Sequence, residues 1–313
     1  MDLGTYTESA EKHRLSGMIE RRGSQTGLST GGMLAFGLPF VGFGVFFTLV
    51  GMKRVPVNPS SVHAPYWVLM AAGLVFALGG LMLWSMTWKQ FQSNRRRAQA
   101  VEHHVNEPAL EDYDWHPRGF QSHCWMKTAK TIAGTGFLAL FLSMFNWWAW
   151  FAAGPVMVKI IVSAFDLIFV FVGWQAVMTI SRAFKFGDSE IEFVRFPYRV
   201  NDSINIRWLT PRGIGRTTKG SFTLRCVKEW TETTGTGSNR SQVIVHEEQW
   251  NGAWSLDHAE EFPPGKTIDL EFKPPAGMPA TCLNSGQPVF WEFEANLDLP
   301  GPDFKEKYLV PVY

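Results

Sequence analysis

A four-helix membrane bundle joined to an all-β antiparallel sandwich is the fold class that this sequence predicts, and three observations predict it. Four segments of about twenty residues are apolar throughout and nearly free of charge, each long enough to cross a hydrocarbon core of roughly 30 Å at 1.5 Å per residue. From Phe186 onward the hydrophobic period changes to strict alternation. Lys and Arg gather at one set of segment ends. A mean hydropathy of −0.05 conceals this partition by averaging the apolar segments with a polar C-terminal half.

Residues 1–30 form a polar tail rich in Ser, Thr and Gly, with one helix-compatible piece from Thr7 to Arg21, and are expected in the cytoplasm. The apolar run that follows is too long for the h-region of a signal peptide, so a cleaved leader is not expected. Residues 31–86 read as the first transmembrane hairpin. Its first passage, Gly31 to Met52, contains Pro39, which neighbouring helices can accommodate as a kink. Gly37, Gly44 and Gly51 recur every seven residues, which either leaves a smooth face open to close helix approach or reflects only how common glycine is in membrane helices. The loop Lys53 to Ala64 leads to the second passage, Pro65 to Met86, where Gly73 and Ala77 make a small-xxx-small step.

Residues 87–130 are a polar middle segment, too long for a simple turn and expected to extend the second passage and then pack on the cytoplasmic side. It holds His103, His104, His116, His123 and Cys124, but none has the C-x2-4-C or H-x3-5-H spacing of a metal site, so no metal or other cofactor is expected. Residues 131–180 form the second transmembrane hairpin, with passages Ile132 to Phe151 and Val156 to Met178 around the turn Ala152-Ala153-Gly154-Pro155. Asp166 lies about ten residues into the last passage, about 15 Å deep and near the bilayer centre, where an ionised carboxylate is costly unless it finds donors. Lys159, Ser163, Asp166, Val170 and Gly173 share one helical face, and depth counting places Ser143 opposite Asp166 with Asn146 one turn nearer the surface. Two roles are open for this polar cluster: an ion or proton relay, or a hydrogen-bonded acid that holds the bundle together. A single such acid in four passages favours the second.

Orientation follows from the flanking cations. Lys12, Arg14, Arg21 and Arg22, then Lys89, Arg95, Arg96, Arg97, Arg118, Lys127 and Lys130, then Arg182 and Lys185, all fall on one side, against Lys53 and Arg54 on the other. By the positive-inside rule both termini are cytoplasmic, and Trp147, Trp148 and Trp150 form an aromatic belt at the outer interface.

Residues 186–313 read as a cytoplasmic β-sandwich. Ile191 and Phe193, Phe222 to Cys226, Val243 and Val245, Ile268 to Phe272, and Trp291 to Leu297 alternate with polar neighbours. Breaks at Asn201-Asp202, Thr210 to Gly213, Gly235 to Asn239, Pro263 to Gly265 and Pro274 to Pro279 separate about eight strands. Trp291 and Phe293 are expected in the core, and Cys226 as an inert buried thiol. The loop Thr231 to Arg240 is either a recognition loop or a plain hairpin tip, and Asp257, His258, Glu260 and Glu261 a solvated polar cluster.

The order Leu224-Arg225-Cys226, Glu248-Gln249-Trp250, Phe272-Lys273-Pro274-Pro275, Trp291-Glu292-Phe293 and Gly301-Pro302-Asp303-Phe304 through Leu309-Val310-Pro311-Val312 resembles arrestin-like sandwiches. It closely resembles the C-terminal half of a family of uncharacterised bacterial multi-pass membrane proteins with a domain of unknown function. The resemblance covers about Gly187 to Tyr313; the membrane half matches in layout only. It implies an adaptor-type sandwich in the bacterial inner membrane that binds protein or peptide through strand edges and loops, and it carries over no catalytic residue.

Across 313 residues, 29 Lys and Arg balance 28 Asp and Glu for a net charge of +1, with no long basic stripe, so nucleic acid is not an expected partner. Three cysteines without CxxC spacing fit a reducing compartment. The expected function is therefore a membrane-anchored interaction or scaffold module whose partners are the lipid bilayer and another membrane or cytoplasmic protein, without catalysis of its own. A small transporter or channel component using Asp166 is the alternative, and a four-passage bundle of that kind would need to oligomerise, most simply with further copies of itself. A membrane enzyme working through Asp112, Asp114 and His116 is the weakest, because alternate residues of an extended loop enforce no geometry.

Overall fold

A computed structural model describes residues 4–15, 30–58, 65–103, 107–151, 155–210, 212–235 and 240–313. The chain divides into two compact units, one built from Thr26–Arg96 and Lys127–Ile180, the other from Met1–Gln25, Arg97–Met126 and Ser181–Tyr313. The loop 59–64, the turn residues 152–154 and the tip 236–239 lie outside the described residues, as do His104 and the side chain of His103.

Near the N-terminus come two short strands, β1 (Tyr6–Ser9) and β2 (His13–Arg14), and then the helices α1 (Thr30–Gly51) and α2 (Tyr66–His103). Next are α3 (Pro108–Asp112), β3 (Gly119–Gln121), α4 (Cys124–Phe151) and α5 (Val156–Phe186). Four segments, Gly31–Gly51, Tyr66–Ser85, Cys124–Phe151 and Val156–Phe186, are helices long and apolar enough to cross a bilayer, which marks a membrane protein. Both later helices outrun the apolar passages, because Lys127, Ala129, Lys130, Arg182, Ala183 and Lys185 are good helix formers and nothing before Gly187 stops the turn. Gly187 ends α5 in the left-handed region, φ 66°, where its N–H donates to the carbonyl of Ala183.

The glycines of α1 are filled by α2. A Cβ on Gly37, Gly44 or Gly51 would come closer than 3.0 Å to Trp84, to the backbone of Ala77 and Gly73, or to Met70 and Tyr66 respectively. The partner number falls as the α1 number rises, so the two helices run antiparallel at backbone contact. Pro39 sits inside α1 without ending it, and the Trp84 indole donates to the carbonyl of Leu34, 3.2 Å away.

The β unit continues with β4 (Glu190–Phe193), β5 (Ile204–Thr210), β6 (Gly215–Thr217), β7 (Lys219–Thr234), β8 (Ser241–Leu256), β9 (Glu260–Phe262), β10 (Lys266–Phe272), β11 (Val289–Asp298) and β12 (Phe304–Val310). A six-stranded antiparallel sheet has the order β1-β8-β7-β11-β12, with β2 also on β8, and a four-stranded one the order β10-β5-β4-β3. One hydrophobic core draws on both sheets: Ile191, Ile206, Trp208, Leu270 and Phe272 from the smaller, Phe222, Leu224, Cys226, Phe293 and Tyr308 from the larger. Trp208 packs against Phe222 with ring centroids 5.1 Å apart, and Phe272 against Phe293 at 6.1 Å.

One expectation needs correction. The N-terminal segment does not form the helix expected from Thr7; its described part is extended, and residues 16–29 lie outside the described residues. Tyr6 to Ser9 pair in register with Trp254 to Asn251, and the Tyr6 ring packs on Trp254 at 4.9 Å, a burial that a solvated helix would forgo. The middle segment extends α2 to His103 as expected, and of it Arg97–Met126 belong to the β unit. Its β3 pairs with β4, and Ala109, Trp115 and Leu110 close a second core on Val227, Phe290 and Leu309 of the larger sheet.

Candidate functional site

Two features could bear function: the outer edge of β8 and the polar residues placed among the apolar helices. The edge is built by the longest pair of strands in the chain. β7 and β8 run opposite each other from Gly220↔Leu256 to Thr234↔Ser241, with a bulge at Cys226/Val227. At the bulge β8 carries one extra residue, Gln249, so that Trp250 lies opposite Cys226 of the main core while Glu248 lies opposite Val227 of the second core. Along its other side β8 takes β1 over Asn251 to Trp254, then β2 at His13↔Glu248 and Arg14↔Glu247, and last the amide of Leu15 on the carbonyl of His246. Among the described residues no strand pairs with this side of β8 beyond that point. The remaining stretch, Ser241 to Val245, carries Val243 at 46 % exposure and Ile244 at 36 %, side chains that alternation alone would place half in the core. An open strand edge with exposed β-branched residues is a template for another strand.

Behind the edge, ionisable side chains are committed to one another. His246 Nε2 lies 3.0 Å from a carboxylate oxygen of Glu229, both buried. On the same face Glu292, 1 % exposed, takes Arg225 and Lys307 at 3.2 Å each, and Glu294 takes Arg225 and Lys305. Burial lowers the Lys307 ammonium from its usual value, with the neighbouring Arg225 adding to the effect and Glu292 opposing it. The Cys226 thiol is pushed up to about 12 by burial, which removes it as a nucleophile.

Asp112 is engaged by groups distant in the chain. Its carboxylate accepts from the backbone amides of Leu283 at 2.7 Å and Asn284 at 2.9 Å and from the Tyr313 hydroxyl at 3.0 Å, while Asp114 and His116 stand exposed. Burial, then the nearby Asp112 charge, pushes the Tyr313 phenol upward. Nothing in the sequence signals this tie, because its two ends are 171 residues apart. Among the described residues no group of three or more His, Cys, Asp or Glu side chains converges as metal ligands would. In the expected polar loop, Asp257 holds the N-terminal strand through Thr5, and Glu260 pairs with Lys266.

Within the helices the structure brings together one pair of the predicted cluster. Asn146 Nδ2 donates to Asp166 Oδ1 at 2.7 Å. Ser143 instead donates to the carbonyl of Leu140, its own helix, at 2.7 Å. The Lys159 ammonium lies over the Trp150 ring, 5.5 Å from its centroid, and Ser163 is exposed. Trp147 meets Trp67 edge to face at 5.7 Å, while Trp148 and Trp150 point outward.

No protein-family model matches the chain, and no curated protein matches it either. Among solved structures, the sporulation control protein Spo0M from Bacillus subtilis is similar over 40 % of this chain and 48 % of its own, at 12 % identity and a TM-score of 0.26. The chain thus spans about half the length of that protein.

Proposed function

We propose that this protein is a membrane-anchored interaction module: two transmembrane hairpins in a bacterial inner membrane hold an arrestin-like β-sandwich in the cytoplasm, where it binds a partner protein by strand addition. The observation that carries this reading is the open stretch of β8 from Ser241 to Val245, next to an edge that the chain already closes with its own β1 and β2. Among the described residues the N-terminal strands cover β8 from His246 to Trp254 and leave Ser241 to Val245 without a partner on that side. The lipid bilayer is the second partner, and Trp147, Trp148 and Trp150 form its outer aromatic belt. The test is purification from native membranes of the wild-type chain and of a Val243→Lys, Ile244→Lys variant. A partner present in stoichiometric amount with the first and lost from the second is the expected result; identical co-purification from both would sink the edge as the docking site.

A transporter role rests on Asp166. The Asn146 bond and the placement of Lys159 over Trp150 support a structural acid instead, since among the described residues the recorded partner of the carboxylate is an amide and the ammonium lies on a ring. On this reading Asp166→Asn keeps assembly and partner binding. Flux in reconstituted vesicles that disappears in the variant would establish transport.

A further inference from the structure

The place where α4 begins and α5 ends carries a third exposed feature, separate from the β8 edge. α5 has 31 residues, about 46 Å of helix at 1.5 Å per residue, close to the roughly 40–45 Å of a bilayer with its headgroups. Its last turn therefore falls at headgroup level. The lipid-type exposure of the helix continues that far, with Phe184 66 % exposed. Trp125, on the first turn of α4 and 38 % exposed, meets Phe184 edge to face at 5.1 Å. An exposed aromatic pair at a helix end is the signature of the membrane interface.

Onto this pair comes an arginine from the β5–β6 turn. The Arg212 guanidinium lies over the Trp125 ring, 5.8 Å from its centroid. Its stem runs along Gly187, where a Cβ would come within 2.6 Å of Arg212 Cδ. Arg212 is exposed, and no carboxylate among the described residues pairs with it. Exposed Arg182 adds a second cation one turn back on α5. Lys185, by contrast, is occupied: its ammonium donates to the carbonyls of Pro300 at 2.9 Å and Pro302 at 3.3 Å. A stacked guanidinium keeps its outer N–H groups free for two phosphate oxygens.

The geometry points to a lipid site: Arg212, held between Trp125 and Gly187 and assisted by Arg182, binds the phosphodiester of an anionic phospholipid, with Trp125 and Phe184 seated against the headgroup-proximal part of its acyl chains. The site ties the β5–β6 turn to the membrane surface independently of what the β8 edge binds. The experiment is native mass spectrometry of the full-length protein in detergent, comparing binding of phosphatidylglycerol with that of phosphatidylcholine for wild type, Arg212→Gln, Trp125→Leu and the equal charge change Lys273→Gln. The wild type should prefer phosphatidylglycerol. Arg212→Gln should lose about fivefold of that preference, the factor one basic residue contributes near an anionic surface. Trp125→Leu should reduce it in part, and Lys273→Gln should leave it unchanged. Unchanged melting temperatures show that the variants remain folded. An Arg212→Gln preference equal to wild type, an equal loss in Lys273→Gln, or displacement of the lipid by inorganic phosphate would each overturn the proposal.

Discussion

The helical unit and the β unit sort the same residue types in opposite directions. Among the helices the largest side chains face outward, as Phe36, Leu38, Phe43, Phe165, Leu167 and Phe171 do, and the contacts between α1 and α2 are made by Gly37, Gly44, Gly51, Gly73 and Ala77. In the β unit Trp208, Trp250, Trp291 and Phe293 are fully buried. The difference is one of solvent. Lipid tails reward no burial of Leu or Phe, so helices associate through close backbone contact; water rewards burial of every aromatic ring.

The sharpest way to break that contrast is a matched pair of truncations. Trp208→Ala should destabilise the β unit by about 3–5 kcal/mol, since it empties a fully packed site, whereas Phe43→Ala on α1 should change helix association little. Chemical denaturation of the purified variants, followed separately by far-UV signals of the strands and helices, measures both, and equal losses would refute the solvent argument. Asp112→Ala comes next: it strands the amides of Leu283 and Asn284, at about 1–3 kcal/mol for each buried group left unpaired, and should free the middle segment to proteolysis near Trp115. Gly44→Leu tests the other side of the comparison. The added side chain meets the backbone of Ala77, and overpacking of about 1–3 kcal/mol should lower disulfide trapping between cysteines introduced into α1 and α2.

The smallest effect is electrostatic. Asp257 lies below its ordinary value of 3.8, first because the Ser255 hydroxyl donates to it and then because the Thr5 hydroxyl and amide do. A carboxylate so depressed stabilises the docked N-terminal strand above that ordinary value, and the contribution is lost as pH falls through the lower folded value. Exchange of the Thr5 amide should quicken in acid beyond its intrinsic rate, and Asp257→Asn should flatten that extra dependence.

Local pattern made part of this legible. Runs of about twenty apolar residues mark the four helices, the heptad of glycines marks the face that α2 fills, and alternation marks β7, β10 and β11, with Trp291 and Phe293 buried as their parity requires. Depth counting offered Ser143 and Asn146 to Asp166, and side-chain reach decided for the amide, because a serine hydroxyl in a helix bonds more readily to its own preceding turn. Strands β1, β2 and β3 escaped notice because four, two and three residues are too few to display a period.

By itself the sequence determined which segments lie in apolar and which in aqueous surroundings, since that depends only on the composition of contiguous stretches. Tertiary structure alone decided that residues 6–14 pair along β8 from Glu247 to Trp254, that Asp112 bonds the amides of Leu283 and Asn284, and that Arg212 comes to rest on Trp125. Each of these joins residues far apart in the chain, and a contact of that kind leaves no mark on the local hydrophobic period that a sequence displays.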